Sequence, residues 1–161
     1  MRSLRSIVCD EDGVSLVEFA IAAGVFFTLI FGIIELCWAI YTGCFVAYAA
    51  QHGSRYAMVR GSDWTNACAS ASSRACQASE GNVQDYVLSL PHPGINLKSS
   101  DISVSWPGTT AGASASCTAA HSHAQNCQVR VRVSYTFSLK IPGVPAASIP
   151  LSSTSIETIQ N

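Results

Sequence analysis

Hydrophobic residues form one continuous block near the N-terminus, and beyond it they alternate with polar residues. Between Phe19 and Gln51 the only acidic or basic side chain is Glu35. A bilayer core is about 30 Å thick and is crossed by about 20 helical residues, whereas this block as one helix would extend roughly 50 Å. The pattern predicts a long helix that crosses a membrane over about residues 19–41 and continues beyond it.

An alternative is a tilted or kinked span that ends near Ala50. Three glycines interrupt the apolar block and weaken a helix: Gly24, Gly32 and Gly43. Aromatic residues with one polar end, which favour the membrane interface, lie in the later part of the block. Both interpretations give a single-pass membrane protein.

The polar remainder of the chain has the patterns of one helix and several strands. Residues 81–91 have helical spacing, with Asn82 as the predicted cap. Residues 101–106 and 128–137 alternate apolar and polar, which predicts two strands with one buried face each, and residues 151–159 predict a third. The sequence therefore predicts an α+β fold: a long N-terminal helix followed by a small domain with a helix and an antiparallel sheet of about three strands.

Cysteines indicate the compartment of this domain. The chain has seven, of which four lie in the polar part: Cys68, Cys76, Cys117 and Cys127. Four cysteines in about 100 residues favour two disulfides and an oxidising compartment such as a bacterial periplasm. Basic residues flank the apolar block on both sides, so the positive-inside rule does not decide the orientation of the helix in the membrane. We expect an inner-membrane protein with a periplasmic C-terminal domain. Proximity favours pairs 68–76 and 117–127, but three pairings remain open.

Charge and motifs exclude several functions. The formal net charge is −1 and only 12% of residues are charged, so no basic face suited to nucleic acid is expected. The sequence has no P-loop, nucleophile elbow, HExxH or glycine-rich phosphate cradle. We expect a protein that is not an enzyme and needs no cofactor.

One cluster is compatible with a metal site. Cys117, His121, His123 and Cys127 have a symmetric spacing that could supply four zinc ligands. Two histidines at i and i+2 point to opposite sides of a strand, and in an oxidising compartment the cysteines more often pair. No metal site is therefore predicted, and a tethered zinc enzyme is kept only as an alternative.

A carboxylate stands at the start of the apolar block. A short hydrophilic leader ends at Gly13, followed by Val14, Glu18 and Phe19. A carboxylate in hydrocarbon costs several kcal/mol unless it is paired or neutralised, although one at the edge can also reach the headgroups. Cleavage after Gly13 would make Glu18 the fifth residue of the mature chain. This arrangement resembles the class III signal peptides of type IV pilins and pseudopilins, except that residues 10–12 are acidic where such leaders usually carry basic residues.

Two further motifs narrow the resemblance. VEFA at residues 17–20 and GIIELCWAIYTG at residues 32–43 resemble the N-terminal region of the TadE-like pseudopilins of tight-adherence (Tad) pilus systems, over roughly the first 60 residues. Glu35 would lie about 25 Å along the helix from Glu18. It either marks the outer interface or pairs with a partner helix.

The resemblance implies a pilus assembly component trimmed by a prepilin peptidase. The implied partners are that peptidase, other pseudopilins, the major pilin, inner-membrane platform proteins and the lipid bilayer, and the implied output is adhesion and biofilm formation. The expected organisation is a leader at 1–13, a membrane and assembly helix at 14–55 and a domain at 56–161. The alternative is an uncleaved, membrane-tethered ligand-binding module.

Overall fold

A computed structural model describes residues 11–62, 77–108, 117, 122–141 and 145–160, apart from the side chains of residues 11, 12 and 108. The predicted α+β fold is confirmed. Its elements are α1 (Glu11–Val59), α2 (Glu80–Leu88), a short 3-10 turn (Ser99–Asp101), β1 (Ile102–Gly108), β2 (Gln128–Leu139) and β3 (Ala147–Thr158).

Helix α1 has two halves with different surroundings. Large apolar side chains between Val14 and Ile40 are exposed, whereas burial in the domain begins at Thr42 and continues to Ala57. By length and composition, Gly13–Val59 is able to cross a membrane, and its most apolar window has a mean hydropathy of 2.3 with none of it buried. The helix that carries the apolar block is therefore also a core element of the domain.

The sheet has the strand order β1-β2-β3, with antiparallel neighbours. Val131 at its centre pairs with Val104 of β1 and Ser155 of β3. The predicted alternation is confirmed on β2, where Val129, Val131 and Val133 are buried. Strand β3 begins earlier than predicted, at Ala147, and includes Pro150. An edge strand tolerates proline because one side of it has no partner strand.

Helix α2 starts with a different cap from the one predicted. Ser79, not Asn82, is the N-cap: its side-chain oxygen accepts a hydrogen bond from the backbone N–H of Asn82 at 3.2 Å. A serine with extended backbone geometry fills this role well, and Asn82 already lies inside the first turn. Val83 and Val87 on the buried face of α2 complete the core beside α1 and β1.

A close approach of α1 to the rest of the core occurs at Gly53. A Cβ atom there would lie 2.9 Å from Cγ2 of Val87 and 3.1 Å from Cγ1 of Val131. One turn of helix is thus packed tightly against both α2 and β2. Beside it, the hydroxyl of the buried Ser54 donates a hydrogen bond of 2.8 Å to the hydroxyl of the partly buried Ser155.

Candidate assembly segment and its junction with the domain

The residues predicted for processing and assembly lie on the first turns of α1. Val14 and Glu18 are four residues apart, so they are neighbours on one helix face. Together with Gly13, Val17 and Ile21 they line a shallow depression. The Glu18 side chain is exposed. The bond between Gly13 and Val14 lies within the helix, which begins at Glu11.

Exposed apolar side chains surround this part of the helix. Val14 is 70% exposed and Phe19 is 74% exposed, and large apolar side chains remain exposed as far as Ile40. Soluble monomers rarely expose contiguous apolar patches of more than a few hundred Å². This surface is suited to lipid or to the helices of other subunits.

Glu35 lies where the exposed half of α1 meets the domain. Its side chain is partly buried, and it lines a polar pocket of about 240 Å³. Trp38, one turn further along, forms another wall and lies against Gly94. The opposite walls come from the end of β2 and the residue after it: Tyr135, Phe137, Ser138 and Lys140. The structure thus brings Glu35 to the chain's own sheet, and it does not bring it near Glu18.

One of the predicted disulfides is present. Cys117 and Cys127 are bonded, with their Cα atoms 5.5 Å apart, and both are buried. The pair favoured by proximity is therefore confirmed here, whereas Cys68 and Cys76 lie outside the described residues. The bond occupies both sulfurs that the alternative zinc site would need as thiolates, and His121 also lies outside the described residues. Cys37 and Cys44 are exposed thiols on α1.

His123, the other candidate metal ligand, is partly buried against the domain. Its ring lies 4.3 Å from that of Trp106. Burial lowers the pKa of His123 below its usual value, partly opposed by a hydrogen bond with the backbone of Ala78. The burial favours the neutral imidazole, which lies tilted against the Trp106 ring in a packing role.

A comparison with known families concerns most of helix α1. A family model described as TadE-like protein matches residues 13–55. This part of the chain is similar to TadE-like proteins, and we call it the TadE-like segment. The resemblance drawn from the VEFA and GIIELCWAIYTG motifs is confirmed over this range. No curated protein and no solved structure matches the chain.

The TadE-like segment contains all the residues predicted for cleavage and assembly: Gly13, Val14, Glu18, Phe19 and Glu35. It associates the chain with the Tad pilus machinery in general. The segment ends close to the point where α1 leaves the core, so the sheet lies outside the match.

Sequence reasoning missed the residues that the domain adds to this segment. Gly94 and Lys140 were not singled out, although each had a weak signal. Gly94 follows the prolines of PHPG, which is typical of a turn, and Lys140 is the last basic residue of the chain. Neither signal indicates that the two residues meet at Glu35, because that contact depends on how α1 crosses the sheet.

A second missed cluster lies near the end of α1. The rings of Tyr56 and Tyr86 stack at 4.3 Å, and the Arg60 guanidinium lies 4.0 Å above the Tyr56 ring. With His52 and Arg55 they line an open cavity of about 410 Å³. The stacking and the cation–π contact fix α2 against the end of α1.

Proposed function

We propose that this protein is a TadE-like minor pilin: a structural subunit that a prepilin peptidase trims after Gly13 and that contributes to biogenesis of an adhesive Tad pilus. The observation that carries the proposal is the TadE-like match, which begins at Gly13 itself. On this proposal the protein is a substrate of processing and has no catalytic activity of its own.

The spacing of Val14 and Glu18 supports the chemistry of assembly. Cleavage creates a positively charged amine at Val14, one helical turn from the Glu18 carboxylate. In a low-dielectric surrounding an unpaired charge carries a large desolvation cost. An opposite charge a few Å away offsets much of that cost for both groups. The amine of one subunit and the carboxylate of its own or a neighbouring chain then set the register between subunits.

The exposed apolar surface supports packing in the bilayer and between subunits. Residues from Val14 to Ile40 present large side chains, with Phe19 among the most exposed. We assign this surface to lipid before assembly and to the helices of other pseudopilins and the major pilin afterwards. Inner-membrane platform proteins complete the proposed set of partners.

The disulfide supports the proposed orientation. A bond between Cys117 and Cys127 is typical of an oxidising compartment, so we place the domain in the periplasm and the N-terminus on the cytoplasmic side. For Glu35 we propose the interfacial role, because it is partly buried beside the chain's own domain.

The test is the N-terminal sequence and intact mass of the protein from native membranes, with and without the cognate prepilin peptidase. The proposal predicts a chain that begins at Val14 only when the peptidase is present. A chain that still begins at Met1, in a strain whose peptidase processes its other pilins, overturns it in favour of the tethered binding module.

A matched pair of variants separates recognition of Gly13 from general effects of a new side chain. A Cβ at Gly13 or at Gly24 would meet no atom within 4 Å among the described residues. Neither substitution should therefore disturb the fold. Gly13→Val should block cleavage, because it changes the residue before the proposed cut, whereas Gly24→Val should be cleaved normally.

A further inference from the structure

The pocket at Glu35 lies at a defined depth. About 25 Å of helix separates it from Glu18, and a bilayer core is about 30 Å thick. When Glu18 lies at one boundary of the hydrocarbon, the pocket lies near the other boundary, at the level of the lipid headgroups. This step rests on the membrane insertion of α1 that the proposed function assumes.

The pocket presents one charge of each sign. Glu35 contributes a carboxylate from α1, and Lys140 contributes an ammonium from the residue after β2. Among the described residues, no ion pair of 4.0 Å or less joins these two side chains. The two charges therefore line the same pocket from different elements without being paired to each other.

The remaining walls suit an interfacial site. Trp38 and Tyr135 line the same pocket, and such rings prefer the headgroup level, where one end of the side chain is apolar and the other is wet. An aromatic face also attracts an ammonium group. The volume of about 240 Å³ is smaller than the ~300–1,000 Å³ of typical drug-sized ligand pockets, so a small polar group fits better than an acyl chain.

We propose that this pocket binds the zwitterionic headgroup of a phosphatidylethanolamine lipid. The lipid ammonium donates hydrogen bonds to the Glu35 carboxylate, and the lipid phosphate accepts from the Lys140 ammonium. Both protein charges are then satisfied at once. An anionic headgroup without an amine would leave Glu35 facing a like charge, and a lone cation would leave Lys140 unpaired.

The experiment uses the purified full-length chain in detergent, with bound lipid counted by native mass spectrometry. Phosphatidylethanolamine and phosphatidylglycerol with identical acyl chains are offered at equal concentration. We expect about a tenfold preference for phosphatidylethanolamine, the size of one charge-assisted hydrogen bond. Equal retention of the two lipids by the unaltered chain overturns the proposal.

Two variants give different expected patterns. Glu35→Gln should abolish the preference. It should weaken the binding of phosphatidylethanolamine and strengthen the binding of phosphatidylglycerol, because the carboxylate that repels the second lipid is removed. Lys140→Gln should weaken the binding of both lipids, because both carry a phosphate. The controls are Glu80→Gln and Lys98→Gln, at exposed positions that do not line the pocket. Loss of the preference in the controls, its survival in Glu35→Gln, or unchanged binding of both lipids by Lys140→Gln contradicts the proposal.

A competition arm separates a lipid headgroup site from a simple phosphate site. Excess soluble phosphoethanolamine should displace the lipid, and the same excess of inorganic phosphate should not. Equal displacement by phosphate would replace the proposal with a phosphate site at Lys140. None of these readouts requires cleavage after Gly13: an uncleaved chain with the lipid preference rejects the processing proposal alone, and a cleaved chain without it rejects the pocket alone.

Discussion

The indole of Trp38 lies against Gly94. A Cβ atom at Gly94 would come within 2.5 Å of Cζ2 of the Trp38 ring, and the backbone of Gly94 has a φ of +76°. A glycine is needed here for two reasons. The left-handed backbone disfavours other residues, and the Trp38 ring of α1 occupies the space that a side chain would need.

Gly94→Ala should therefore destabilise the domain. We expect a loss of at least ~1 kcal/mol from the left-handed backbone alone, with a further loss from displacement of the Trp38 ring. Thermal unfolding of the purified protein in detergent measures the change. The control is Gly81→Ala in α2, where a Cβ meets nothing within 4 Å and alanine favours the helix. A Gly94→Ala protein as stable as the control would contradict the contact.

A second pair of glycines tests the packing of α1 on the core. Gly53→Ala should cost about 1–3 kcal/mol by overpacking, because its Cβ would approach Val87 and Val131. Gly43→Ala on the same helix has nothing within 4 Å and should be neutral or slightly stabilising. Denaturant unfolding of both variants measures the difference, and equal midpoints would show that α1 does not pack as described.

The disulfide should contribute directly to stability. Cys117 and Cys127 are 10 residues apart in sequence, and a bridge that closes so short a loop contributes about 2–3 kcal/mol. We expect Cys117→Ser combined with Cys127→Ser to lower the free energy of unfolding by that amount, measured by denaturant unfolding. Replacement of the exposed pair Cys37 and Cys44 by serine should leave it unchanged. An equal effect of both double variants would show that the bond is not a structural element.

His123 should make the domain sensitive to mild acid. Because burial lowers its pKa in the folded protein, the unfolded chain takes up a proton first as the pH falls through about 6.5. Stability is thus fully present above that pH and declines below it. His123→Gln should flatten this slope between pH 7.5 and 5.5. An NMR titration of His123 that gives an ordinary or raised pKa would contradict the prediction.

Glu18 should be required for assembly with other pilins but not for cleavage after Gly13. Glu18→Gln keeps the size of the side chain but removes the charge that faces the new Val14 amine, so we expect normal trimming and a loss of cross-linked assemblies with other pilins. Glu80→Gln, on the exposed side of the domain, is the matched control. Unchanged cross-linking of the Glu18→Gln protein would exclude a role for the charge pair in assembly.

Local patterns predicted some parts of this structure well. The alternation along β2 placed Val129, Val131 and Val133 in the core, because a two-residue period depends only on neighbouring positions. Strand β3 was harder to orient, since its core-facing positions include Ser153 and Ser155. Both are partly buried, and Ser155 forms a hydrogen bond with Ser54 of α1, which is distant in sequence.

The two halves of α1 show the same limit. An apolar stretch has no polar face to separate lipid from protein, so the sequence did not show that burial in the domain starts at Thr42. The assembly residues near Val14 could be found because a carboxylate in an apolar block is conspicuous. The pocket at Glu35 could not be found, because Lys140 and Gly94 reach it only through tertiary packing.

The continuity of α1 has a mechanical consequence. One unbroken helix runs from the exposed apolar surface into the core, where Gly53 holds it against α2 and β2, so the domain has no hinge between its anchor and its sheet. A force along the helix axis is delivered straight to the packed core. On the proposed function, a subunit that is drawn out of the bilayer along this axis would move as one stiff body, with helix and domain displaced by the same distance.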